Sequence, residues 1–212
     1  MSYINFQPKN HFKTLLYTGN GSTQSITGVG FKPDWVWIKN RDGTEPNTLQ
    51  DIVRGAGKRL YSNTTGAQSD SAISITSFDS DGFSVGSGGE VNTNTYKFAS
   101  WNWLLGGSQG SSNTDGSINT LYTSANTTSG FSVSTWNGTG SNGTIGHGLG
   151  KVPKMLIIKR TDGTQAWMVY HVGAGNNSEG QITTGAFSGS SSAWQDTDPT
   201  TSVFYVSGST GD

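Results

Sequence analysis

The stretch that decides the fold is Gly28–Thr44, which reads Gly-Val-Gly-Phe-Lys-Pro-Asp-Trp-Val-Trp-Ile-Lys-Asn-Arg-Asp-Gly-Thr. Successive side chains of a β-strand point to opposite faces, so Trp35 and Trp37 share one face while Val36 and Ile38 share the other. Pro33, whose ring fixes φ, precedes these alternating residues, and the turn dipeptide Asp42-Gly43 follows them. A short strand that is apolar on both faces is typical of a central strand covered on both sides.

The pattern occurs a second time at Gly148–Thr164, which reads Gly-Leu-Gly-Lys-Val-Pro-Lys-Met-Leu-Ile-Ile-Lys-Arg-Thr-Asp-Gly-Thr. Pro33 and Pro153 lie 120 residues apart. Further along, Phe83-Ser-Val85 corresponds to Phe204-Tyr-Val206 at a spacing of 121 residues. The pattern is kept while the identity of the residues drifts, which indicates a duplicated β unit.

Strand and turn signals recur along the whole chain. Dipeptides such as Asp42-Gly43 and Asn137-Gly138 tolerate the positive φ of tight hairpins. The one helix candidate, Leu49–Leu60, is weakened by Gly55 and Gly57. These signals predict an all-β fold of two tandem related β-sandwich or jelly-roll-like units. The predicted strands are Lys13–Thr18, Asp34–Lys39, Ile73–Ser77, Gly82–Val85, Tyr96–Trp103, Ile118–Thr123, Phe131–Trp136, Lys154–Lys159, Trp167–His171 and Ser202–Val206.

The repeat also predicts the domain organisation. We expect an N-terminal anchoring arm at residues 1–12, a first β-sandwich repeat at 13–107, a linker at 108–116 and an incomplete second repeat at 117–212. The first repeat closes with an aromatic strand that ends at Trp103, and no such strand follows Phe204-Tyr-Val206. Either the polypeptide continues past residue 212, or a neighbouring subunit donates the closing strand to an open sheet edge.

Composition and charge argue against several classes of function. The formal net charge is −1 and the sequence has no long basic stripe, so a nucleic-acid partner is not expected. There is no cysteine, which leaves neither a disulfide framework nor a thiolate zinc site. No apolar run approaches the roughly 20 residues that a membrane helix needs, so membrane insertion is not expected either.

No arrangement of residues predicts catalysis, a metal site or a cofactor. The three histidines, His11, His147 and His171, lack the spacing of zinc ligands, and no Gly-x-Ser-x-Gly elbow is present. The pair Asp79 and Asp81 resembles the start of a calcium loop but lacks its remaining ligands, so a hairpin turn is the preferred interpretation.

A glycan-degrading enzyme is the alternative with the clearest chemical requirement, because glycosidases need two carboxyl groups that flank one bond. Asp51 is the one acidic residue that lies within an apolar stretch, and it is close in sequence to Arg54. An ion pair that pins a strand end is the simplest role for Asp51. We therefore expect no enzymatic activity.

Tryptophans are the best candidates for binding, because aromatic faces can stack on sugar rings and indoles are enriched at protein contacts. Trp136 and Trp194 lie near turns and are expected to be exposed, so they are the predicted binding residues. The long polar stretch Gly173–Pro199 is the expected loop region for ligand contact. The remaining pairs have the spacing of two that favours a core position: Trp35 with Trp37, and Trp101 with Trp103.

The start of the chain mixes aromatic, proline and lysine residues and precedes the first repeat. We expect Tyr3, Phe6 and Phe12 to anchor this arm to another protein of the same assembly.

Long strings of the sequence resemble a module that is widespread in tailed phages of marine bacteria. The resemblance begins with Tyr17–Arg41, including Gly-Phe-Lys-Pro-Asp-Trp-Val-Trp-Ile-Lys, and covers nearly the whole chain. It continues through Asp51–Gly55, Leu60–Thr65, Thr76–Phe83, Ser100–Trp103 and Gly146–Gly150.

The resemblance implies a place in a virion, because members of that family are described as tail, fibre or minor structural proteins. It implies no catalytic residues. We therefore expect a phage virion structural protein, a tail or fibre module that contacts the host surface. The alternatives are a capsid-attached decoration or head-fibre protein, and a carbohydrate-binding module without catalysis. The expected partners are other virion proteins, further copies of the chain and a host-surface glycan. The expected location is the extracellular particle, assembled in the host cytoplasm.

Overall fold

The structure is a computed structural model that describes residues 7–182, 185–189 and 192–208. Its strands confirm the predicted all-β fold, and no helix in these ranges is long and apolar enough to cross a membrane. A 3-10 turn occupies Pro8–Asn10 and the short helix α1 occupies Gly89–Asn92. The strands are β1 Phe12–Thr18, β2 Gln24–Thr27, β3 Trp35–Asn40, β4 Thr48–Asp51, β5 Lys58–Tyr61, β6 Ser69–Asp70, β7 Ile75–Asp79, β8 Gly82–Val85, β9 Lys97–Trp103, β10 Tyr122–Asn126, β11 Phe131–Thr135, β12 Gly143–Gly146, β13 Met155–Ile158, β14 Met168–His171, β15 Ser178–Gln181, β16 Ser188–Gly189 and β17 Val203–Val206.

The chain divides into two compact units. The first unit comprises Met1–Ser62 and Gln68–Gln109, and the second comprises Asn63–Ala67 and Gly110–Asp212. The division after residue 109 falls inside the predicted linker at 108–116. Nothing in the sequence indicates that residues 63–67 group with the second unit.

The first unit is a two-layer sandwich. A six-stranded sheet in the order β1-β9-β3-β4-β5-β6 lies against a three-stranded sheet in the order β2-β8-β7. Alternation places Val36 and Ile38 on the inner face of β3, where both are fully buried. They form one core with residues from both sheets and α1: Ile26, Ile75, Phe83, Val85, Val91 and Phe98.

The described part of the second unit has three sheets, each smaller than the six-stranded sheet of the first unit. A four-stranded sheet runs in the order β13-β14-β15-β16, β12 pairs with β17, and β10 and β11 form a hairpin. Its core includes the buried residues Ile145, Phe204 and Val206, against which Leu156 and Ile158 of β13 pack. A second cluster joins Met168 and Tyr170 of β14 to Ala193 and Trp194.

Corresponding positions of the repeat make corresponding contacts. Ile26 pairs with Phe83 across β2 and β8, and Ile145 pairs with Phe204 across β12 and β17. The ring of Tyr17 packs edge-to-face on Phe83 at 6.3 Å, and Trp136 packs edge-to-face on Phe204 at 5.8 Å. These parallels support a duplication, and superposition of the complete units stays a prediction.

The Gly-x-Gly motif of the repeat has the same backbone conformation in both places. Gly28 and Gly30 have φ of +93° and +86°, and Gly148 and Gly150 have φ of +68° and +66°. Residues with a Cβ atom rarely adopt this left-handed region, which explains the two glycines in each copy. In the first copy the Asp81 carboxylate accepts the N–H groups of Gly28 and Gly30 at 3.1 and 2.6 Å.

The weak helix candidate at residues 49–60 is not a helix, in line with its two glycines: these residues contain most of β4 and most of β5, and the connection between the two strands includes Gly55 at a φ of +103°. Two expectations about local structure need correction. Phe12 is the first residue of β1 rather than part of an arm, because it pairs with Trp103. The predicted strand Ile118–Thr123 is displaced: β10 begins at Tyr122, and Ile118 makes only an isolated parallel bridge to Ile145.

Candidate functional site

Four tryptophans line up on the outer face of the six-stranded sheet. Strands β3 and β9 pair so that Trp35 faces Trp103 and Trp37 faces Trp101. Because residues that pair across strands project to the same side of the sheet, all four indoles lie on the face opposite Val36 and Ile38. We call these four residues, together with Phe12, the indole face.

The rings of the indole face pack against one another at steep angles. Trp35 and Trp103 are 4.5 Å apart between centroids with an interplanar angle of 83°, and Trp35 and Trp37 are 5.9 Å apart at 80°. Trp37 and Trp101 are 5.8 Å apart at 54°, and Phe12 lies 4.6 Å from Trp103 at 50°. Edge-to-face contacts of this kind stabilise aromatic pairs beyond the area that they bury.

A shallow cavity opens between these rings. Its volume is about 200 Å³, and it is lined by Trp37, Lys39, Asn47, Trp101 and Trp103. The Trp37 indole is held in place by its Nε1–H, which donates to Ser62 Oγ at 2.9 Å. The site therefore combines aromatic walls, a primary amine and an amide, a set of groups that can pack on an apolar ring and bind hydroxyl groups at its rim.

Asp34 connects the two strands, β3 and β9, that carry the four tryptophans of the indole face. Its carboxylate is fully buried, and Oδ2 accepts the N–H groups of Leu105 and Gly107, both at 2.8 Å. These bonds tie the segment after β9 to the residue before β3, so both tryptophan pairs are held in register. Burial raises the pKa of Asp34, while the two backbone bonds and Lys32 act in the opposite direction.

Asp51 has the structural role expected of it. Its carboxylate is 2.7 Å from the guanidinium of Arg54, and Oδ1 accepts the Arg54 N–H at 2.9 Å. Arg54 also donates to the carbonyl of Lys58 at 3.1 Å. The ion pair pins the end of β4, as the sequence predicts, and Asp51 is almost fully buried.

Asp79 and Asp81 belong to a hairpin, also as predicted. Asp79 pairs with Gly82 where β7 turns into β8. Its carboxylate accepts hydrogen bonds from Ser77 and Ser84 at 2.8 and 2.7 Å. The Asp79 carboxylate therefore stabilises the hairpin, and the Asp81 carboxylate stabilises the Gly-x-Gly motif.

The expectation that Trp194 is exposed is wrong. Trp194 is 3% exposed, its Nε1–H donates to the carbonyl of Ser178 at 3.0 Å, and its ring packs edge-to-face on Tyr170 at 5.8 Å. Trp136 is half-buried and packs on Phe204. The structure therefore gives both predicted binding residues packing contacts in the second unit, while the tryptophans predicted for the core form the half-buried indole face.

His147 is a buried packing residue. Its Nδ1 accepts the N–H of Leu149 at 3.1 Å, which places the proton on Nε2, 3.2 Å from the carbonyl of Thr200. Burial lowers the pKa of His147, against smaller opposing effects of Thr200 and Asp115.

The three aromatic residues predicted for the arm have different outcomes. Tyr3 and Phe6 lie outside the described residues. Phe12 belongs to the first sheet and extends the indole face through its contact with Trp103.

Sequence reasoning missed the indole face, although it placed each Trp pair on one side of its strand. A spacing of two residues reveals a shared face, but it does not say which face meets the second sheet. The sequence did contain one signal of this face. Two predicted strands have the pattern Trp-x-Trp, and in one of them the tryptophans alternate with the aliphatic residues Val36 and Ile38.

Comparison with known proteins gives one match. The model of a family described as a domain of unknown function, DUF7483, matches residues 7–212. No curated protein and no solved structure matches the chain.

Proposed function

We propose that this chain, which belongs to the DUF7483 family, is a non-enzymatic structural module of a phage tail or fibre that contacts a host-surface glycan through its indole face. The virion assignment rests on the resemblance of the long sequence strings to phage tail and fibre modules. The observation that supports the contact is a set of four half-buried tryptophans on one sheet face, three of which (Trp37, Trp101 and Trp103) line a cavity together with Lys39 and Asn47.

The geometry of the rings favours a particular class of ligand. Adjacent rings of the indole face meet at angles between 50° and 83°, so they do not form the coplanar row that a flat crystalline polymer would require. A cavity of about 200 Å³ suits one or two sugar units of a soluble or cell-attached chain. Many copies on one particle would then turn weak single contacts into strong attachment.

The place of the protein in a particle is tested by fractionation and labelling. An antibody to this chain should decorate the tails of intact particles seen by electron microscopy, and the chain should sediment with them. Labelling of the heads would favour the capsid-decoration alternative. Absence of the chain from purified particles would contradict the virion proposal and leave a free carbohydrate-binding module.

The contact itself is tested by binding to bacterial surface polysaccharides on an array. Trp101→Ala should lose roughly five- to thirtyfold in apparent affinity, since a ring contact in a binding site contributes on the order of 1–2 kcal/mol. Tyr122→Ala is the matched control, because Tyr122 is an exposed aromatic residue of the second unit. Equal binding by both variants would contradict the role of the indole face.

Absence of catalysis is tested on the same ligands. The wild-type protein should release no reducing ends from any polysaccharide that it binds. Release of reducing ends would replace the binding proposal with a depolymerase.

A further inference from the structure

One cation lies among the aromatic rings of the indole face. Lys39 follows Trp37 by two residues on β3, so its side chain projects from the same face of the sheet. Lys39 is the one charged residue among the five that line the cavity. The other four are Trp37, Asn47, Trp101 and Trp103. The wall of the cavity therefore contains an ammonium group and no carboxylate.

In the described residues, no carboxylate pairs with the Lys39 ammonium. Arg54, Lys58 and Arg59 of the same unit each pair with an acidic side chain at 2.7 or 2.8 Å. Because Lys39 is half-buried, a ligand that fills the cavity removes water from its ammonium. A neutral ligand would leave that charge poorly solvated, whereas an anionic group on the ligand would replace the lost water.

Two further cations extend this side of the sheet beyond the cavity. Lys39 pairs with Ala99, and Lys97 lies two residues before Ala99 on β9, so Lys97 projects to the same side. The Arg41 N–H donates to the Lys97 carbonyl at 2.8 Å, which places these two residues opposite each other past the end of β3. Both are exposed, and neither forms an ion pair within the part of the chain that the structure describes.

Two carboxylates lie in the loop after β3, and both bind groups of the protein. Asp42 accepts the N–H of Lys97 at 2.8 Å, and Glu45 accepts the side-chain amide of Asn40 at 2.7 Å. Neither carboxylate lines the cavity. The three cations therefore exceed the two carboxylates by one charge, and the excess lies on the side of the indole face.

The Trp101 indole supplies a second hydrogen-bond donor in the cavity. The Trp37 Nε1–H donates to Ser62, whereas the Trp101 Nε1–H donates to no acceptor among the residues that the structure describes. Indole N–H and ammonium groups donate hydrogen bonds and cannot accept them. The two groups are therefore matched to a ligand that is rich in acceptors and negatively charged.

We propose that the indole face binds an acidic glycan, in which a carboxylate or sulfate group pairs with Lys39 while the sugar ring packs on Trp101. This inference rests on the proposed contact between the indole face and a glycan, and it names the class of that glycan. A ring contact alone does not distinguish acidic from neutral sugars, so Lys39 provides the discrimination. Lys97 and Arg41 attract the negative groups of adjacent sugar units.

Matched pairs of probes test the class of ligand. Polygalacturonate is compared with the neutral galactan made by reducing its carboxyl groups, and a sulfated galactan is compared with its desulfated form. The wild-type protein should bind at least one acidic probe about tenfold or more tightly than the neutral form of that probe. This binding should weaken as the ionic strength rises from about 0.1 M to about 1 M, because the cations are partly exposed.

The role of the ammonium is tested with Lys39→Gln. This variant should lose about tenfold in affinity for the acidic probe and should no longer prefer it to the neutral form. Lys13→Gln is the matched control, because Lys13 is exposed on β1 and pairs with Asn102, which alternation places on the opposite face from Trp101. The control removes the same charge and should change the affinity by less than about twofold.

Several results would overturn the proposal. Equal binding of acidic and neutral probes by the wild-type protein would do so without depending on the folding of any variant, as would failure to bind either acidic probe. Equal losses in Lys39→Gln and Lys13→Gln would leave only a general effect of charge. Tighter binding of a single-stranded oligodeoxythymidylate than of both acidic probes would assign the face to nucleic acid.

The same variants separate this inference from the proposed function. If Trp101→Ala weakens binding of a neutral glycan and Lys39→Gln does not, the glycan contact stands and the acidic class is wrong. If Trp101→Ala changes the binding of no glycan, the contact through the indole face is itself wrong.

Discussion

Trp35 and Trp103 lie directly opposite each other on β3 and β9, with their ring centroids 4.5 Å apart and their planes at 83°. This contact is the centre of the indole face, because Trp35 also packs on Trp37 and Trp103 also packs on Phe12. The pair thus links the first, third and ninth strands on the side of the sheet that the sandwich core does not use.

The first prediction concerns the energy of this pair. In a double-mutant cycle with Trp35→Leu and Trp103→Leu, the free energy of unfolding should show a coupling of about 0.5–1.5 kcal/mol, as measured for edge-to-face aromatic pairs. Urea denaturation of the four proteins gives the value. Strictly additive effects of the two substitutions would show that the rings stabilise the unit only through the area they bury.

The sequence predicts the strands that have strong local signals and misses those that depend on pairing with distant segments. Gly82–Val85 was predicted with the boundaries that β8 has, since its apolar residues and the preceding Asp-Gly turn are both local signals. Strands β2 and β12 were missed because Gln24–Thr27 and Gly143–Gly146 are short and mostly polar, and their only large apolar residues are single isoleucines. Their partners, β8 and β17, are distant in sequence, and a local pattern contains no information about such pairing.

The second prediction uses the raised pKa of Asp34. Since burial raises the pKa in the folded state, ionisation of Asp34 costs more there than in the unfolded chain, so its contribution to stability is complete at low pH and is lost as the pH rises through the folded pKa. Asparagine can accept the same two backbone N–H groups without ionising. The stability of Asp34→Asn relative to wild type should therefore increase between about pH 3 and pH 7.

Urea denaturation of both proteins across this range measures the difference. A constant difference in the free energy of unfolding would mean that Asp34 does not titrate differently in the two states.

The third prediction concerns acid sensitivity of the second unit. The pKa of His147 is lowered by burial, so the unfolded chain takes up a proton before the folded protein does as the pH falls below about 6.5. Stability supplied by His147 is present above that pH and is lost as the pH falls through the folded pKa. The hydrogen-exchange protection factors of amides in β12 and β17, which correct for the slower intrinsic exchange at lower pH, should therefore fall on acidification.

Replacement of His147 by glutamine should reduce this pH dependence. His171→Gln is the matched control, since His171 is exposed. If His171→Gln changed the pH dependence as much as His147→Gln, the assignment to His147 would be wrong.

The fourth prediction tests the glycine motif. A Cβ atom at Gly150 would meet nothing within 4 Å, and φ there is +66°, so Gly150→Ala isolates the cost of the left-handed backbone. We expect a loss of about 1–2 kcal/mol in the free energy of unfolding, and a smaller loss for Gly150→Asn because asparagine tolerates this region.

Gly66→Ala is the control for this measurement. Its Cβ would be 3.8 Å from Thr64 Oγ1, and its φ is outside the left-handed region. The control should be neutral or slightly stabilising, because alanine restricts the unfolded chain. Equal losses at both positions would remove the conformational explanation of the motif.

The site was harder to predict than the fold, for reasons that Trp194 and Trp101 illustrate. Trp194 lies in a polar, serine-rich stretch, and only its tertiary contact with Tyr170 buries it. Trp101 lies in a strongly apolar strand, yet it faces away from the sandwich core because Phe98, three residues earlier, occupies the inner face. Local composition predicts apolar strands, but the side that becomes the interior depends on which sheets pack together.

Two-dimensional NMR of the seven indole Nε1–H groups, recorded during titration with a polysaccharide fragment selected on the array, tests the proposed contact most directly. The signals of Trp37, Trp101 and Trp103 should shift with one common affinity, while those of Trp194 and Trp167 stay in place. Shifts confined to Trp194 and Trp136, or a bound ligand that moves none of the indole-face signals, would contradict the account.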